Sequence, residues 1–125
     1  MAKVMVVDDN EEIAKLVSLI LSRDGHEVEI ALNGDEALEK LESFSPDIIL
    51  MDYFMPGKDG AQVSKEIHSR ERFRNVPIIL FTIMSLDEGL EEAVKKAEAV
   101  DYIRKPFSVD VMTEKVRRIL RAAEA

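Results

Sequence analysis

Three acids stand directly behind apolar runs: Asp8 and Asp9 after Val4 to Val7, and Asp52 after Ile48 to Met51. A run of branched and long apolar side chains reads as a strand buried on both faces, so the first charge behind it marks where the strand leaves the core. Thr82 follows a comparable run, Ile78 to Phe81, and Lys105 follows a shorter one through Tyr102 and Ile103. If these ends meet at one rim, three carboxylates converge. At separations near 5 Å and an effective dielectric near 20, each ionised pair repels by ~3 kcal/mol, so the cluster calls for a cation. Carboxylates without a histidine or cysteine beside them suit a hard, oxygen-loving ion, and magnesium binds through one or two carboxylates while keeping waters. Asp52 could then act as a nucleophile that takes a phosphoryl group as an acyl phosphate. A lysine ammonium and a threonine hydroxyl at the same rim would meet the phosphoryl oxygens. Taken singly, each residue has a plainer role. Asp9 or Asn10 can cap a helix, Asp59 can cap or turn, Thr82 is an ordinary strand residue, and Lys105 can be solvated. The conjunction carries the argument.

The elements that must position these groups follow from periodicity. The chain alternates strand and helix five times, with no repeat, long linker or low-complexity stretch. The first strand covers Val4 to Val7, and the first helix carries Ile13, Leu16, Val17, Ile20 and Leu21 as an apolar stripe that Gly25 ends. The second strand runs from Glu27 to Ile30. Asn33, with Glu36 three residues on, then opens a helix with Ala37, Leu38 and Leu41 inward. The third strand ends at Asp52, where Met55, Pro56 and Gly57 cannot continue it. Asp59 caps a helix with Val63 and Ile67 inward, and a fourth strand runs from Pro77 to Phe81. Ser85 and Glu88 form a capping-box pattern that opens a helix with Leu86, Leu90, Val94 and Ala97 on one face. A fifth strand, Ala99 to Ile103, precedes a last helix through Met112, Val116, Ile119 and Leu120.

Short connections between alternating strands and helices imply an α/β, doubly wound, five-stranded parallel sheet with helices on both faces. Strands one, three and four are apolar throughout and belong at the centre, while two and five alternate as edge strands do. The order 2-1-3-4-5 of flavodoxin-like sheets satisfies this, and its winding reverses between strands one and three. A ligand crevice therefore opens beside Asp8, Asp9 and Asp52.

Composition narrows the remaining classes. At 125 residues the chain is expected to be one domain, residues 1–125, with a single core. Hydrophobic residues make up 46% and charged residues 34%, which excludes general disorder. No stretch approaches the roughly 18 apolar residues of a membrane span, and a strand that begins so soon after Met1 leaves no room for a signal peptide. The absence of cysteine excludes disulfides and thiolate chemistry, so a cytoplasmic location is expected. A net charge of −8 argues against direct nucleic-acid binding, although Lys115, Arg117, Arg118 and Arg121 make the last helix locally basic. That run reads first as a solvated face and second as a contact for an acidic partner or another copy.

Along nearly its whole length the chain resembles the receiver domain of two-component response regulators. The resemblance rests on Val6 to Asp9; Asn33, Gly34 and Glu36 to Leu38; Pro46, Asp47 and Asp52; Met55 to Gly57, Asp59 and Gly60; Thr82; Tyr102; and Lys105 to Phe107. It implies that Asp52 is the phosphoacceptor, charged by a phosphohistidine on a histidine kinase or phosphotransfer protein. It also implies that Asp8 and Asp9 surround Mg2+, with Asp9, Asp52 and the backbone carbonyl of Phe54 as direct ligands. Thr82 and Tyr102 resemble the family's switch pair, Lys105 its phosphate-sensing lysine, and the Lys105–Pro106 bond is expected to be cis. Phosphorylation adds roughly −1.5 to −2 charge, which would draw Thr82 toward the phosphoryl group and let Tyr102 turn inward. The surface of helix four, strand five and helix five would change and meet a downstream protein target, in a monomer or a weak phosphorylation-dependent dimer.

Some positions depart from the family's pattern. Ile83 stands where alanine or glycine is usual, and with Phe54 and Met84 it surrounds the site with apolar bulk that cannot orient an attacking water, so slow self-dephosphorylation is expected. Glu98 replaces a usual glycine, so helix four is expected to end differently. His26 and His68 have no partner constellation and read as surface residues. Two other classes compete: an aspartate-nucleophile enzyme of the haloacid dehalogenase type, which resembles a layout with its nucleophile after strand one, and a receiver-like module that is never phosphorylated. The first predicts turnover of phosphate esters, and the second predicts no labelling by acetyl phosphate with magnesium.

Overall fold

The computed structural model describes residues 2–124. Five parallel strands, β1 (Lys3–Val7), β2 (Glu27–Ala31), β3 (Ile48–Asp52), β4 (Ile78–Thr82) and β5 (Asp101–Arg104), lie in the order β2-β1-β3-β4-β5. Every residue of β3 and β4 is buried, whereas β2 and β5 are mostly half-exposed, as edge strands with one covered face must be. The helices are α1 (Glu11–Arg23), α2 (Gly34–Lys40), α3 (Gly60–Ser69), α4 (Leu90–Lys96) and α5 (Val109–Glu124). Alternate strand residues divide the core. Val4, Val6, Leu50 and Phe81 pack with Val17 of α1 and Met112 and Val116 of α5, and Met5, Val7, Ile49 and Met51 pack with Leu38 of α2 and Val63 and Ile67 of α3. Leu80 continues the second face under Leu90 and Ala93 of α4. Each such buried aliphatic side chain contributes about 1.5–3 kcal/mol relative to exposure. Among the described residues no helix is long and apolar enough to cross a membrane.

Caps set where the helices begin. The Asn10 side chain accepts from the Ile13 N–H at 3.1 Å and that of Asn33 from the Glu36 N–H at 2.8 Å. Asp59 and Gln62 form a reciprocal capping box at α3. The expected fourth helix differs. Its Ser85–Glu88 box is present but caps a single 3-10 turn, Leu86–Glu88, and Gly89 at φ 92° breaks the path before α4. The break puts the two pieces out of phase, so Leu86 is exposed rather than inward. Strand five begins two residues later than expected: the Ala99 N–H is taken by the Val94 carbonyl at 3.0 Å, and the chain first reaches β4 through the Val100 N–H, which donates to the Ile78 carbonyl at 2.8 Å. In α1, Ala14, Val17 and Leu21 face the sheet and Leu16 is 46% exposed, outside the stripe assigned to it.

Glu98 does not change the way α4 ends. Its N–H donates to the Lys95 carbonyl at 3.1 Å, and with the Ala99–Val94 bond this is the double bond pattern of a glycine-type terminator. Glu98 adopts φ 54°, a left-handed conformation that costs a non-glycine residue of order 1 kcal/mol. Its carboxylate lies 2.8 Å from Nδ1 of His68, whose Nε2 is 2.9 Å from the Val76 carbonyl. His68 is therefore a partnered link between α3 and the end of α4, not a free surface residue. His26 is also not a surface residue: its side chain is 9% exposed and neither ring nitrogen has a hydrogen-bond partner. Asp24, at 3.7 Å, is held instead by the Arg117 guanidinium. The basic run of α5 is largely committed as well, since Lys115 and Arg118 both bond Asp101.

Burial is the main force that lowers the His26 pKa, with Asp24 opposing it. The unfolded chain then binds a proton more readily than the folded one, so stability is full above pH 6.5 and falls as pH drops through the histidine range. His26→Leu is expected to remove that loss and raise the melting temperature, as followed by thermal melts from pH 7.5 to 5. The acid-side loss from Asp24, whose carboxyl Arg117 holds below its ordinary value, falls below about pH 4 and stays separate.

Candidate functional site

The C-terminal ends of β1, β3, β4 and β5 form one rim, and parallel pairing is what aligns them: Val7 pairs with Met51, Asp52 with Phe81, and Thr82 with Arg104. Asp8 continues β1, is fully buried, and has both oxygens engaged. Oδ1 accepts from the Asn10 N–H at 3.0 Å and Oδ2 from the Lys105 ammonium at 2.7 Å. Because Asn10 caps α1, Asp9 is released from that duty and is exposed beside the cleft. Carboxylate oxygens of Asp8, Asp9 and Asp52 all lie within 4.8 Å of one another. Asp52 is 5% exposed, and Lys105 Nζ approaches its Oδ2 at 3.6 Å, an ion-pair distance longer than a good hydrogen bond. Burial first, and then the Asp8 charge, push the Asp52 carboxyl up to about 7 despite the opposing Lys105.

Thr82 is buried at the end of β4. Its hydroxyl oxygen accepts from the Met84 N–H at 3.2 Å, which leaves its own proton free to donate, and its carbonyl accepts from the Lys105 N–H at 2.8 Å. The Lys105–Pro106 peptide is cis. Phe54 and Ile83, 51% and 66% exposed, line the cleft of about 510 Å3 together with the acids and Lys105. Tyr102 does not line it. Its ring packs toward Leu80 and Leu90, and the Lys115 ammonium sits 4.7 Å from the ring centroid while donating to the Tyr102 carbonyl at 2.6 Å. A larger cavity, about 620 Å3, lies at the opposite end of the strands between His68, Val100 and Arg118, but it gathers no carboxylate set, so size does not mark the site.

The donor set suits a hard divalent cation: three carboxylates, one buried against a lysine, and no nitrogen or sulfur ligand in the cluster. Magnesium fits it. With both Asp8 oxygens engaged, the open oxygens belong to Asp9 and Asp52. One contributor was missed by sequence reasoning. At Gly60 a Cβ would lie 2.3 Å from the Asp52 carbonyl oxygen, and the Gly60 N–H donates to the Tyr53 carbonyl at 2.8 Å. The Asp59–Gly60 pair was the only local signal, and it cannot show a close approach.

Comparison with known proteins agrees with this geometry. The family model described as the response regulator receiver domain matches residues 4–117, and the chain belongs to that family. It is 37% identical over 123 residues to the alkaline phosphatase synthesis transcriptional regulatory protein PhoP of Bacillus subtilis, covering 98% of this chain and 50% of that protein. The chain thus spans about half the length of that curated relative. Among solved structures, chemotaxis protein CheY4 of Vibrio cholerae superposes with a TM-score of 0.88 at 31% identity, over 94% of this chain and 98% of that one. The Francisella response regulator 1452 receiver domain gives 0.86 at 29% identity, over 98% of each chain. Receiver domains are signalling switches of two-component systems rather than metabolic enzymes, and phosphorylation-dependent signalling follows from membership.

In the metal-free protein, the raised Asp52 carboxyl means that the folded state holds its proton more tightly than the unfolded chain does. Stability therefore falls as pH rises from about 4 to about 7, by roughly 1–4 kcal/mol. Asp52→Asn should flatten that fall and raise the melting temperature at pH 8 in chelator, and magnesium should stabilise the wild type but not the variant. Gly60→Ala should cost about 1–3 kcal/mol and weaken magnesium binding, as read by melts and titration calorimetry.

Proposed function

We propose that Asp52 accepts a phosphoryl group from a phosphohistidine on a partner histidine kinase or phosphotransfer protein, and that residues 1–125 act as a single receiver domain. The observation that carries this reading is Asp52 itself, a nearly buried carboxylate within 4.8 Å of two others with a lysine ammonium at 3.6 Å. An Asp52 oxygen attacks phosphorus as the phosphorus–nitrogen bond to the donor imidazole breaks, and the ring, already protonated on its other nitrogen, takes the bonding pair and leaves as neutral imidazole. Asp9, Asp52 and the backbone carbonyl of Phe54 would hold Mg2+, which when bound offsets the charge of the phosphoryl oxygens. Asp8, with its oxygens taken, positions Lys105 instead. Lys105 pairs with one phosphoryl oxygen, and the Thr82 hydroxyl donates its free proton to another.

The engaged state of Asp8 also disfavours the dehalogenase-type alternative, because the acid after strand one is closed by Asn10 and Lys105 and is poorly placed to attack. In the switch, Thr82 gives up the Met84 N–H to reach the phosphoryl group. Tyr102 leaves its place under Lys115 and turns inward, changing the face that a downstream protein target reads. Phe54 and Ile83 offer no polar group to an attacking water, so the acyl phosphate is long-lived. Incubation with acetyl phosphate and magnesium should add one phosphoryl mass to the wild type and none to Asp52→Asn; a label surviving the substitution would move the site elsewhere. Phe54→Asn and Ile83→Ala should each shorten the phosphoryl lifetime severalfold, and unchanged decay in both would end the shielding argument.

A further inference from the structure

Lys105 has a partner that none of the reaction roles above includes. Its ammonium lies 4.6 Å from the centroid of the Phe81 ring. Phe81 is fully buried, is the residue in register with Asp52, and is backed by Phe107 in an edge contact at 5.5 Å between ring centroids. The geometry gives the ring a task. Lys105 follows β5, and its strongest partner, Asp8, follows β1, three strand positions away or about 14 Å in an idealised sheet. The lysine must therefore pass over the ends of the intervening strands, and on this face the end of β4 presents Phe81. Its side chain remains only 15% exposed on that path, so little water is available to stabilise the charge.

We propose that Phe81 is a positioning residue for phosphoryl transfer: its ring face holds the Lys105 ammonium over the rim, with Phe107 fixing the ring's tilt. The negative ring face attracts the cation where an aliphatic side chain of similar bulk would only touch its stem. Asp52 alone does not fix the ammonium, since their contact is 3.6 Å, and Asp8 draws it past the phosphoacceptor to a 2.7 Å bond. Phe81 thus adds a third direction of restraint, keeping the charge between the two acids where phosphoryl oxygens arrive. The role rests on the reading of Asp52 as phosphoacceptor.

The test replaces Phe81 in the full chain with mono-, di- and pentafluorophenylalanine, which keep the ring's shape while draining its face of negative charge, alongside Phe81→Leu. Two readouts are followed: the ring-shifted side-chain resonances of Lys105 by NMR, and the rate of phosphorylation by acetyl phosphate with magnesium. The expected result is a stepwise change in the Lys105 resonances with each fluorine increment, and a parallel fall in rate reaching about 3- to 10-fold in the pentafluoro protein and Phe81→Leu. A ring that merely fills space predicts a flat fluorine series, and a flat series in either readout overturns the proposal even if Phe81→Leu is impaired. Failure of the wild type to label at Asp52 would count against the phosphoacceptor reading instead, while the resonance series would still decide whether Phe81 holds Lys105.

Discussion

The arrangement depends on how a dry cluster of like charges is kept from pushing itself apart. Asp8, Asp9 and Asp52 lie close enough that each ionised pair repels by about 3 kcal/mol, and two of the three are nearly out of water. The fold meets this in part with one lysine, which neutralises Asp8 most closely and Asp52 less. The remainder is left unpaid, as the raised Asp52 carboxyl shows. An acid in that condition responds to cations, because a bound cation relieves the excess negative charge. The functional sensitivity and the stability cost are one quantity.

The geometry around this cluster divides the work. Asn10 takes the capping duty at α1 and so leaves Asp9 open, while its own N–H closes one oxygen of Asp8. Gly60 lets the start of α3 approach the Asp52 backbone more closely than any side chain would permit. Thr82 serves the rim twice, with a carbonyl that anchors the Lys105 backbone and a hydroxyl parked on the Met84 N–H. That parked bond is weak and neutral, of the order of 1 kcal/mol, so a charged acceptor can compete for the hydroxyl successfully.

Away from the rim, the segment between β4 and β5 is built to a different standard from the rest. Gly89 divides it into a single turn and a seven-residue helix, and the helix ends on a non-glycine residue in a left-handed conformation. A helix this short draws little stability from its own backbone and relies on Leu90 and Ala93 against the sheet. The contact of Glu98 with His68 helps to offset the strained backbone at its far end. This segment lies in the chain between Thr82 at the end of β4 and Tyr102 in β5.

Much of this was legible from residue order. Strand positions, the sheet order and the strand-end placement of Asp8, Asp9, Asp52 and Thr82 follow from apolar runs and their interruptions, because burial and pleating leave a period in the chain. Where helix four breaks was not legible: Ser85 and Glu88 carry a valid capping signal, and only the left-handed Gly89 decides that it caps a single turn. The states of the histidines are hidden from residue order for a related reason, since the partners of His68 and the burial of His26 come from residues distant in sequence. By itself the sequence determined which groups stand at the ends of which strands, because that depends on local patterning. Only the tertiary structure decided that Asp8 is closed, Asp9 open, Asp52 strained and Lys105 seated on Phe81, because distance and burial between remote residues set those states, and no local pattern encodes them.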